Sequence, residues 1–502
     1  MNAGKSRGNG QGLLNSSKTD NTEKEHGMRH PAYPKYKESG VEWLGKVPEH
    51  WAVKRLKYSA TINDDTLPET TEPDFEFNYV DIGSVNPIEG ITNTETMIFE
   101  NAPSRARRKV APGDTIVSTV RTYLRAIAPI PKTSETLIVS TGFAVIRPRK
   151  LNADFLAYAL RESSFVESVV ARSTGVSYPA INASEIGNIE IPLPPEDEQA
   201  AIADFLDRET GLIDALAAKK QRLIELLKEK RTALITRTVT RGLPEDVARE
   251  FGLAPHIRFK DSGIEWLGQI PEEWEVKRLK MAAYLNDKKV EADEENPVPY
   301  IGMENIESWT GKLLPIDPDV TPSGVANRFT AKNTLFGKLR PYLAKACNPS
   351  FDGLCSTELL VIESEDFDRR ALLYWLLADG FIRLVDSSTY GSKMPRANWD
   401  FIGNCLLPVP PLPEQSAIAA YLDRETAKID KLVEKIEAVV ARLQEYRSAL
   451  ITAAVTGKID VQTKDKEMLS VHNAGDSVHN AGDSVHNAGD SVHRPHPKRI
   501  FP

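Results

Sequence analysis

The side chains of this sequence whose type and spacing could do chemistry are basic and aromatic rather than nucleophilic. Arg105, Arg107, Arg108 and Lys109 form a dense run just ahead of Pro112-Gly113-Asp114. Arg121, Tyr123 and Arg125 follow at every second position, which puts them on one face if the segment is a strand. In the second half of the chain Lys338, Arg340 and Tyr342 alternate in the matching place, with Lys345 nearby. Lys393, Arg396 and Asn398 sit on a later loop, as Tyr178 does in the first half. Guanidinium and ammonium groups pair with phosphates or guanine edges, and asparagine can read adenine. A lone basic run is ordinarily a solvated face. Basic and aromatic side chains at corresponding places in two halves of one chain point instead to contact with DNA.

Fragments that resemble catalytic motifs lack their partners. Asn348-Pro349-Ser350-Phe351 is one proline short of the loop that holds a flipped adenine, and no glycine-rich strand-turn-helix precedes it. Pro271-Glu272 with Glu275-Val276-Lys277 imitates a nuclease metal site, but the carboxylates are too close in sequence to come from two strands. The first half has Ala52 where Glu275 stands. Gly4-Lys5-Ser6 lacks the upstream glycine of a phosphate-binding loop, and Gly8, Gly10 and Gly12 follow no strand. Cys347, Cys355 and Cys405 have neither metal-ligand spacing nor a framework of bridges, so they read as reduced, mostly buried thiols. No active site emerges.

The elements that must position the basic residues are written twice. ESGVEWLGKVPEHWAVKRLK, from Glu38 to Lys57, returns as DSGIEWLGQIPEEWEVKRLK, from Asp261 to Lys280, with 14 of 20 positions identical. The tryptophans Trp43, Trp51, Trp266 and Trp274 read as core anchors. Each half continues with short β-type runs, such as DTIVSTVRTYL and TLIVSTGFAVIRP, matched by NTLFGKLRPYL and GLCSTELLVIES. An apolar helix follows in each, within LNADFLAYALRESSFVESVV and DRRALLYWLLADGFIRLV. Pro179 and Pro395, and Gly187 and Gly403, then recur at a common offset of 216 residues.

A long helix closes each half, from about Glu196 to Thr240 and from about Glu414 to Thr456. The first carries a seam of Ile202, Leu206, Ile213, Leu216, Leu223, Leu227 and Leu234, interrupted by Glu209, Lys220 and Lys230. The second carries Ile418, Leu422, Ile429, Leu432, Ile436, Val439, Leu443, Tyr446 and Leu450. Steps of three and four are a coiled-coil period, and two such helices can bury each other's seam as an antiparallel pair. The expected fold class is therefore α+β, with two tandem mixed domains at 33–195 and 259–411. Helices follow at 196–242 and 412–460, joined to the rest by a linker at 243–258. The segments 1–32 and 461–502, the latter with tandem SVHNAGD repeats, are too polar and glycine-rich to bury a core and are expected to be disordered. Met28 is a candidate initiator.

Charge and hydropathy narrow the function classes. The net charge of −8 argues against a protein that coats nucleic acid unaided, so a nucleic-acid role must be local or shared with a partner. No apolar run approaches the roughly 20 residues that span a bilayer. No signal-peptide core opens the chain, and a cytoplasmic location is expected.

The opening SGVEWLGKVPEHW and SGIEWLGQIPEEW, the segments IPLPPEDEQAAIADFLDRET and LPVPPLPEQSAIAAYLDRET, and the helix ends ALITRTVTRG and ALITAAVTGK carry a resemblance. Over about residues 33 to 460 the sequence resembles the specificity subunit of type I restriction-modification systems. That resemblance implies two target-recognition domains, each reading one half of an asymmetric, bipartite double-stranded DNA site. It implies that the helices fix the spacing and dock two methyltransferase subunits, with restriction subunits joining to make the nuclease. It places S-adenosylmethionine on the methyltransferase partner, and ATP and magnesium on the restriction partner, so that no cofactor is expected on this chain. The tails are departures from the shared framework. Two other classes stay open at this stage: an enzyme in its own right, and a coiled-coil assembly scaffold without sequence-specific DNA binding.

Overall fold

A computed structural model describes residues 30–132, 135–292, 298–317, 324–364, 367–391 and 393–462. The SVHNAGD repeats and nearly all of the amino-terminal segment expected to be disordered lie outside the described residues. By contact the chain divides into two units, Met1–Ile213 with Gln444–Pro502, and Asp214–Leu443. Each unit holds one mixed domain and a part of both long helices.

In the first unit the apolar run Thr115–Ser118 is buried at all four positions, flanked by Ile127–Pro129 and Phe143–Pro148 in an antiparallel sheet completed by Ala60–Ile62. A second sheet runs in the order Glu95–Ile98, Glu76–Val80, Leu137–Ser140, Ala106–Lys109, with Leu137–Ser140 parallel to Glu76–Val80. The second unit repeats the plan. Thr334–Gly337 lies between Leu359–Glu363 and Ala346–Cys347, and Gly353–Cys355 runs parallel to Tyr300–Ile301 in the other sheet. The copies differ at the sheet edges. The first unit adds Glu95–Ile98 outside Glu76–Val80, whereas the second adds Lys289–Glu291 outside Val325–Phe329.

The opening motif closes each domain. Ala52–Arg55 pairs with Glu190–Leu193, and Glu275–Arg278 with Leu406–Val409, so the strand that carries the repeated VKR lies against the strand that leads into the long helix. Trp51 and Trp274 are fully buried. Where the sequence suggests one apolar helix per half, there are two. Ala153–Arg161 and Ser163–Ala171 are separated by Glu162, whose carboxylate accepts the N–H groups of Ser164 and Phe165 at 2.8 and 2.9 Å. The Glu162 cap satisfies the donors of a new helix start and ends the preceding helix. Arg369–Leu376 and Asp379–Ser387 are also separate, but Ala378 at that break offers no side-chain cap, and the Asp379 N–H donates instead to the Thr236 hydroxyl at 3.2 Å.

The long helices run Glu196–Arg241 and Leu412–Val455, 46 and 44 residues. At about 1.5 Å per residue each is on the order of 65–70 Å long. Their first turns are fixed to the domain that precedes them by the same contacts in both units. Gln199 and Gln415 donate to Pro194 and Pro410 carbonyls at 2.9 Å, and their side-chain oxygens accept the N–H groups of Asn152 and Asp368 at 2.8 and 2.9 Å. Tyr158 and Tyr374 each donate to an aspartate one turn before a threonine, Asp207 and Asp423, at 2.7 Å. In the second unit the helices pack antiparallel, since Arg231 meets Asp430 while Gly242 lies beside Glu414. Ile224, Ile429, Val433 and Ile436 form the packed cluster, with Leu227 and Leu234 against it.

The seam differs from the sequence reading in register. Leu216, Leu223, Leu432, Val439 and Tyr446 face solvent, while Ile224 and Val433 are buried. The inward positions of the first helix are 206, 210, 213, 217, 220, 224, 227, 231, 234 and 238, all buried or half-buried, an unbroken alternation of four and three. The second helix repeats them 216 residues on, from Leu422 to Ala454. Residues that a hydropathy scan skips, Thr210, Ala217, Lys220 and Arg231, are members of this face. Leu206, Leu227 and Leu234 lie on it, whereas Leu216, Leu223 and Leu432 lie one position off it.

The segment 243–258, read as a linker, contains the helix Glu245–Glu250, and its Leu243, Val247 and Ala248 join the core of the second unit. No helix among the described residues is long and apolar enough to cross a membrane. The revised seam makes a direct test. Ile224 is 1% exposed and Leu223 is 39% exposed. Ile224→Ala is expected to destabilise the chain by about 2–4 kcal/mol and Leu223→Ala by less than about 1 kcal/mol in urea unfolding. The reverse order would restore the original seam.

Candidate nucleic-acid interface

Arg121, Tyr123 and Arg125 do not lie on a strand. The strand ends at Ser118, and Thr122–Leu124 form one 3-10 turn flanked by Arg121 and Arg125, both left-handed at φ 51° and 53°. The second unit has the same device at Pro341–Leu343, with Arg340 at φ 50° and Ala344 at 44°. A residue with a β-carbon in this region costs about 1 kcal/mol or more and persists only where its surroundings hold it. They do so through the later loop: the Arg121 N–H donates to the Pro179 carbonyl at 2.8 Å, and that of Arg340 to Pro395 at 2.7 Å. The loop is itself pinched, Thr174 bonding Ala180 in both directions at 2.9 Å and Tyr390 bonding Arg396 at 3.0 and 3.1 Å. Gly175 and Gly391, at φ 109° and 92°, allow the turn inside each pinch, where an added β-carbon would press on the Tyr178 or Met394 carbonyl.

The strained turn and the pinched loop together present exposed basic and aromatic groups. In the first unit Arg121 lies over the Tyr178 ring at 5.0 Å, and Tyr123 is exposed beside them. Arg125 is half-exposed and paired with Glu167 at 2.5 Å. Arg105 reaches this neighbourhood through the backbone, its carbonyl accepting Thr141 N–H at 2.7 Å while the adjacent Gly142 carbonyl accepts Thr119 N–H at 2.8 Å. The Arg105 guanidinium is exposed, donates to the Tyr79 hydroxyl at 3.1 Å, and is held further above its usual range by that bond. In the second unit Arg340, Tyr342 and Lys393 are exposed.

The other sequence-nominated residues have structural duties. Arg107 is largely buried, stacks on Phe99 at 4.5 Å and donates to the Ala106 carbonyl at 3.0 Å. Arg108 is half-buried on a strand between the backbones of Val139 and Thr66. Lys345 donates to the Met303 carbonyl at 2.6 Å, and Lys338 is half-buried. Arg396 forms a fork with Glu358 at 3.1–3.2 Å, which occupies the edge a phosphate would need. Asn398 caps the helix Trp399–Ile402 by accepting the Phe401 N–H at 2.8 Å. A basic or amide side chain in a β-rich domain satisfies carbonyls and helix ends as readily as it meets a ligand, and sequence alone does not separate the two.

A scan for charge passes over exposed large side chains on the pinched loops: Val176 in the first unit, and Tyr390 and Met394 in the second. The signal lies in STGVSYP and STYGSKMP, where Val176 and Met394 stand between a glycine and a proline and Tyr390 stands just before the glycine. Burial pushes the thiols of Cys347 and Cys355 up to about 12 and that of Cys405 to about 11, which suits packing rather than attack. Among the described residues no group of histidine, cysteine and carboxylate side chains is arranged to hold a metal ion.

Comparison with known families decides the assignment. The family model for the type I restriction modification DNA specificity domain matches residues 48–226 and again 271–442. The chain belongs to this family. Among curated relatives, the specificity subunit of the type I restriction enzyme EcoDI from Escherichia coli is 26% identical over 66% of this chain and 76% of its own length. The MjaVIII specificity subunit from Methanocaldococcus jannaschii is 24% identical over 85% of this chain and 97% of its own. A chain in a solved structure of a type I R-M system shares the fold with a TM-score of 0.58, at 23% identity over 82% of this chain and 99% of that one. The two matched stretches of the specificity family each include a strained turn, a pinched loop and the opening part of a long helix.

The division between exposed and structural arginines is measurable. In a complex with its methyltransferase, Arg121→Ala is expected to lower the slope of log affinity for DNA against log salt by about one phosphate contact. Arg107→Ala is expected to leave that slope unchanged and to lower the unfolding midpoint instead. An equal change of slope in both variants would contradict the interior placement of Arg107.

Proposed function

We propose that this specificity subunit reads an asymmetric, split DNA sequence, one half-site per domain, and itself carries out no chemistry. The observation that carries the reading is the strained turn and pinched loop built twice on one framework, with arginine and tyrosine on both turns and different side chains on the two loops. Arg121, Tyr123, Tyr178 and Val176 occupy one copy, and Arg340, Tyr342, Tyr390 and Met394 the other. Backbone strain kept in two diverged copies supports a site under functional constraint. Arginine at such a tip supplies phosphate or guanine contact, and the aromatic and apolar side chains supply packing on sugars or thymine methyls.

The long helices set the spacing between half-sites in this reading, because a shift of a few base pairs rotates one groove face away from its reader. They also dock two methyltransferase subunits. The outward Leu216, Leu223 and Leu226 on one helix and Leu432 and Val439 on the other support a helical partner there. The methyltransferase holds S-adenosylmethionine and methylates adenine. Restriction subunits bring ATP and magnesium, and the assembly works in the cytoplasm. The acidic net charge fits a subunit whose partners supply much of the phosphate contact. A scaffold without DNA recognition is not favoured, since it has no use for diverged loops beside a shared strained turn.

An exchange tests the reading. Residues 259–411 are replaced by the corresponding stretch of a relative with a different target, and the methylated motif is mapped. One half-site is expected to change while the other and the spacer stay as they were. Retention of both original half-sites, or change in both, would contradict one reader per domain.

A further inference from the structure

In the second unit Arg231 does more than fill the helix seam. It is 6% exposed, and all three of its guanidinium nitrogens are engaged. Nε meets Asp430 on the other long helix at 2.9 Å, and the two terminal nitrogens donate to the Trp309 and Thr310 carbonyls at 2.8 Å each. Lys312 completes the cluster on the other oxygen of Asp430, at 2.9 Å. One side chain thus joins both helices to one loop of the recognition domain.

That loop, between Ile306 and Leu313, is shaped for the contact. Trp309 is left-handed at φ 66°, so the chain turns its carbonyl and the next one toward the helices. Gly311 follows at φ 80° and packs on Leu373 and Leu377, where an added β-carbon would lie 3.1 Å from the nearest atom. The equivalent loop of the first unit, between Val85 and Ile91, is one residue shorter and is turned by Asn86, which accepts the N–H groups of Ile88 and Glu89. The Trp309 N–H donates to the Ala344 carbonyl at 3.0 Å. Ala344 is the left-handed residue that ends the 3-10 turn carrying Arg340 and Tyr342. A path therefore runs from Asp430 to Arg231 and the Trp309 carbonyl by hydrogen bonds, through the left-handed backbone of Trp309, and from its N–H to the proposed DNA-contacting turn.

The geometry points to Arg231 as a positioning residue that fixes the second recognition domain on the helix pair and so sets which spacer lengths the complex accepts. The inference rests on the split-site reading above. A planar guanidinium suits the task because it holds a carboxylate and two carbonyls at once in fixed directions, which a lysine cannot do. With the latch gone, the tip at Arg340 and Tyr342 keeps its side chains but loses its register to the helices.

The test is methylome mapping with Arg231→Met, Arg231→Lys and wild type, each with the cognate methyltransferase, scored by half-site and by spacer length. For Arg231→Met, methylation at the wild-type spacer is expected to fall by about tenfold, the worth of one hydrogen bond to a charged group. Sites one base pair longer or shorter are expected to rise above background, with both half-site sequences unchanged and Arg231→Lys in between. Lys312→Met serves if Arg231→Met fails to accumulate. Lys312 is half-exposed and steadies only Asp430, so a smaller broadening of the same kind is expected. An unaltered spacer distribution, or an equal loss at all spacings, would overturn the proposal. A wild-type chain that directs no split motif would instead overturn the underlying reading.

Discussion

Each long helix begins on a buried carboxylate, and the placement of everything else follows from it. Glu198 receives the indole N–H of Trp51 at 2.5 Å and meets His50 at 2.7 Å. Glu414 receives that of Trp274 at 2.9 Å and meets His256 at 2.5 Å. A carboxylate in the first turn also faces the positive end of the helix dipole. Bonds of this kind contribute about 1.5–3 kcal/mol each, and a buried charge left without them costs more. The tryptophan belongs to the opening motif and the glutamate to the helix, so a single contact fixes how a recognition domain leaves its spacer. The histidine arrives by two routes: His50 stands beside Trp51 in the first unit, and His256 precedes the opening motif in the second. The constraint has outlasted the residues that meet it.

From that anchor outward the two units diverge in an ordered way. The closing strands keep the same register, and the helix starts share their glutamine, tryptophan and tyrosine contacts. The sheets agree in their centres and differ at their edges. The turns agree in backbone and keep an arginine and a tyrosine, Arg121 and Tyr123 against Arg340 and Tyr342, while on the pinched loops Tyr178 and Met394, or Thr174 and Tyr390, do not match in chemistry. A reader of two unlike half-sites needs this gradient: shared geometry where the domain meets the spacer, and variation where it meets bases.

The same gradient explains what the sequence made legible. The duplication, the mixed domains and the helix pair could be read because both copies obey the same packing rules, and repetition exposes them. The seam was misjudged because its true members include Arg231 and Lys220, which a hydropathy scan treats as interruptions. The strand expected through Arg121 was wrong because a left-handed arginine leaves no mark in sequence when no glycine is there to announce it. Among the nominated contacts, Arg107, Arg396 and Asn398 turned out to satisfy carbonyls, a glutamate and a helix end. Only the three-dimensional environment distinguishes a guanidinium that supports a loop from one that a loop supports.

The central claim is that this chain chooses the sequence at which a partner methylates adenine. It is tested most directly by genome-wide mapping of N6-methyladenine in cells that carry the chain with its cognate methyltransferase, against the same cells with the chain deleted. A single bipartite motif, present in the first and absent from the second, is the predicted result. Methylation that is unchanged by the deletion, with a methyltransferase shown to assemble on the chain, would contradict the account.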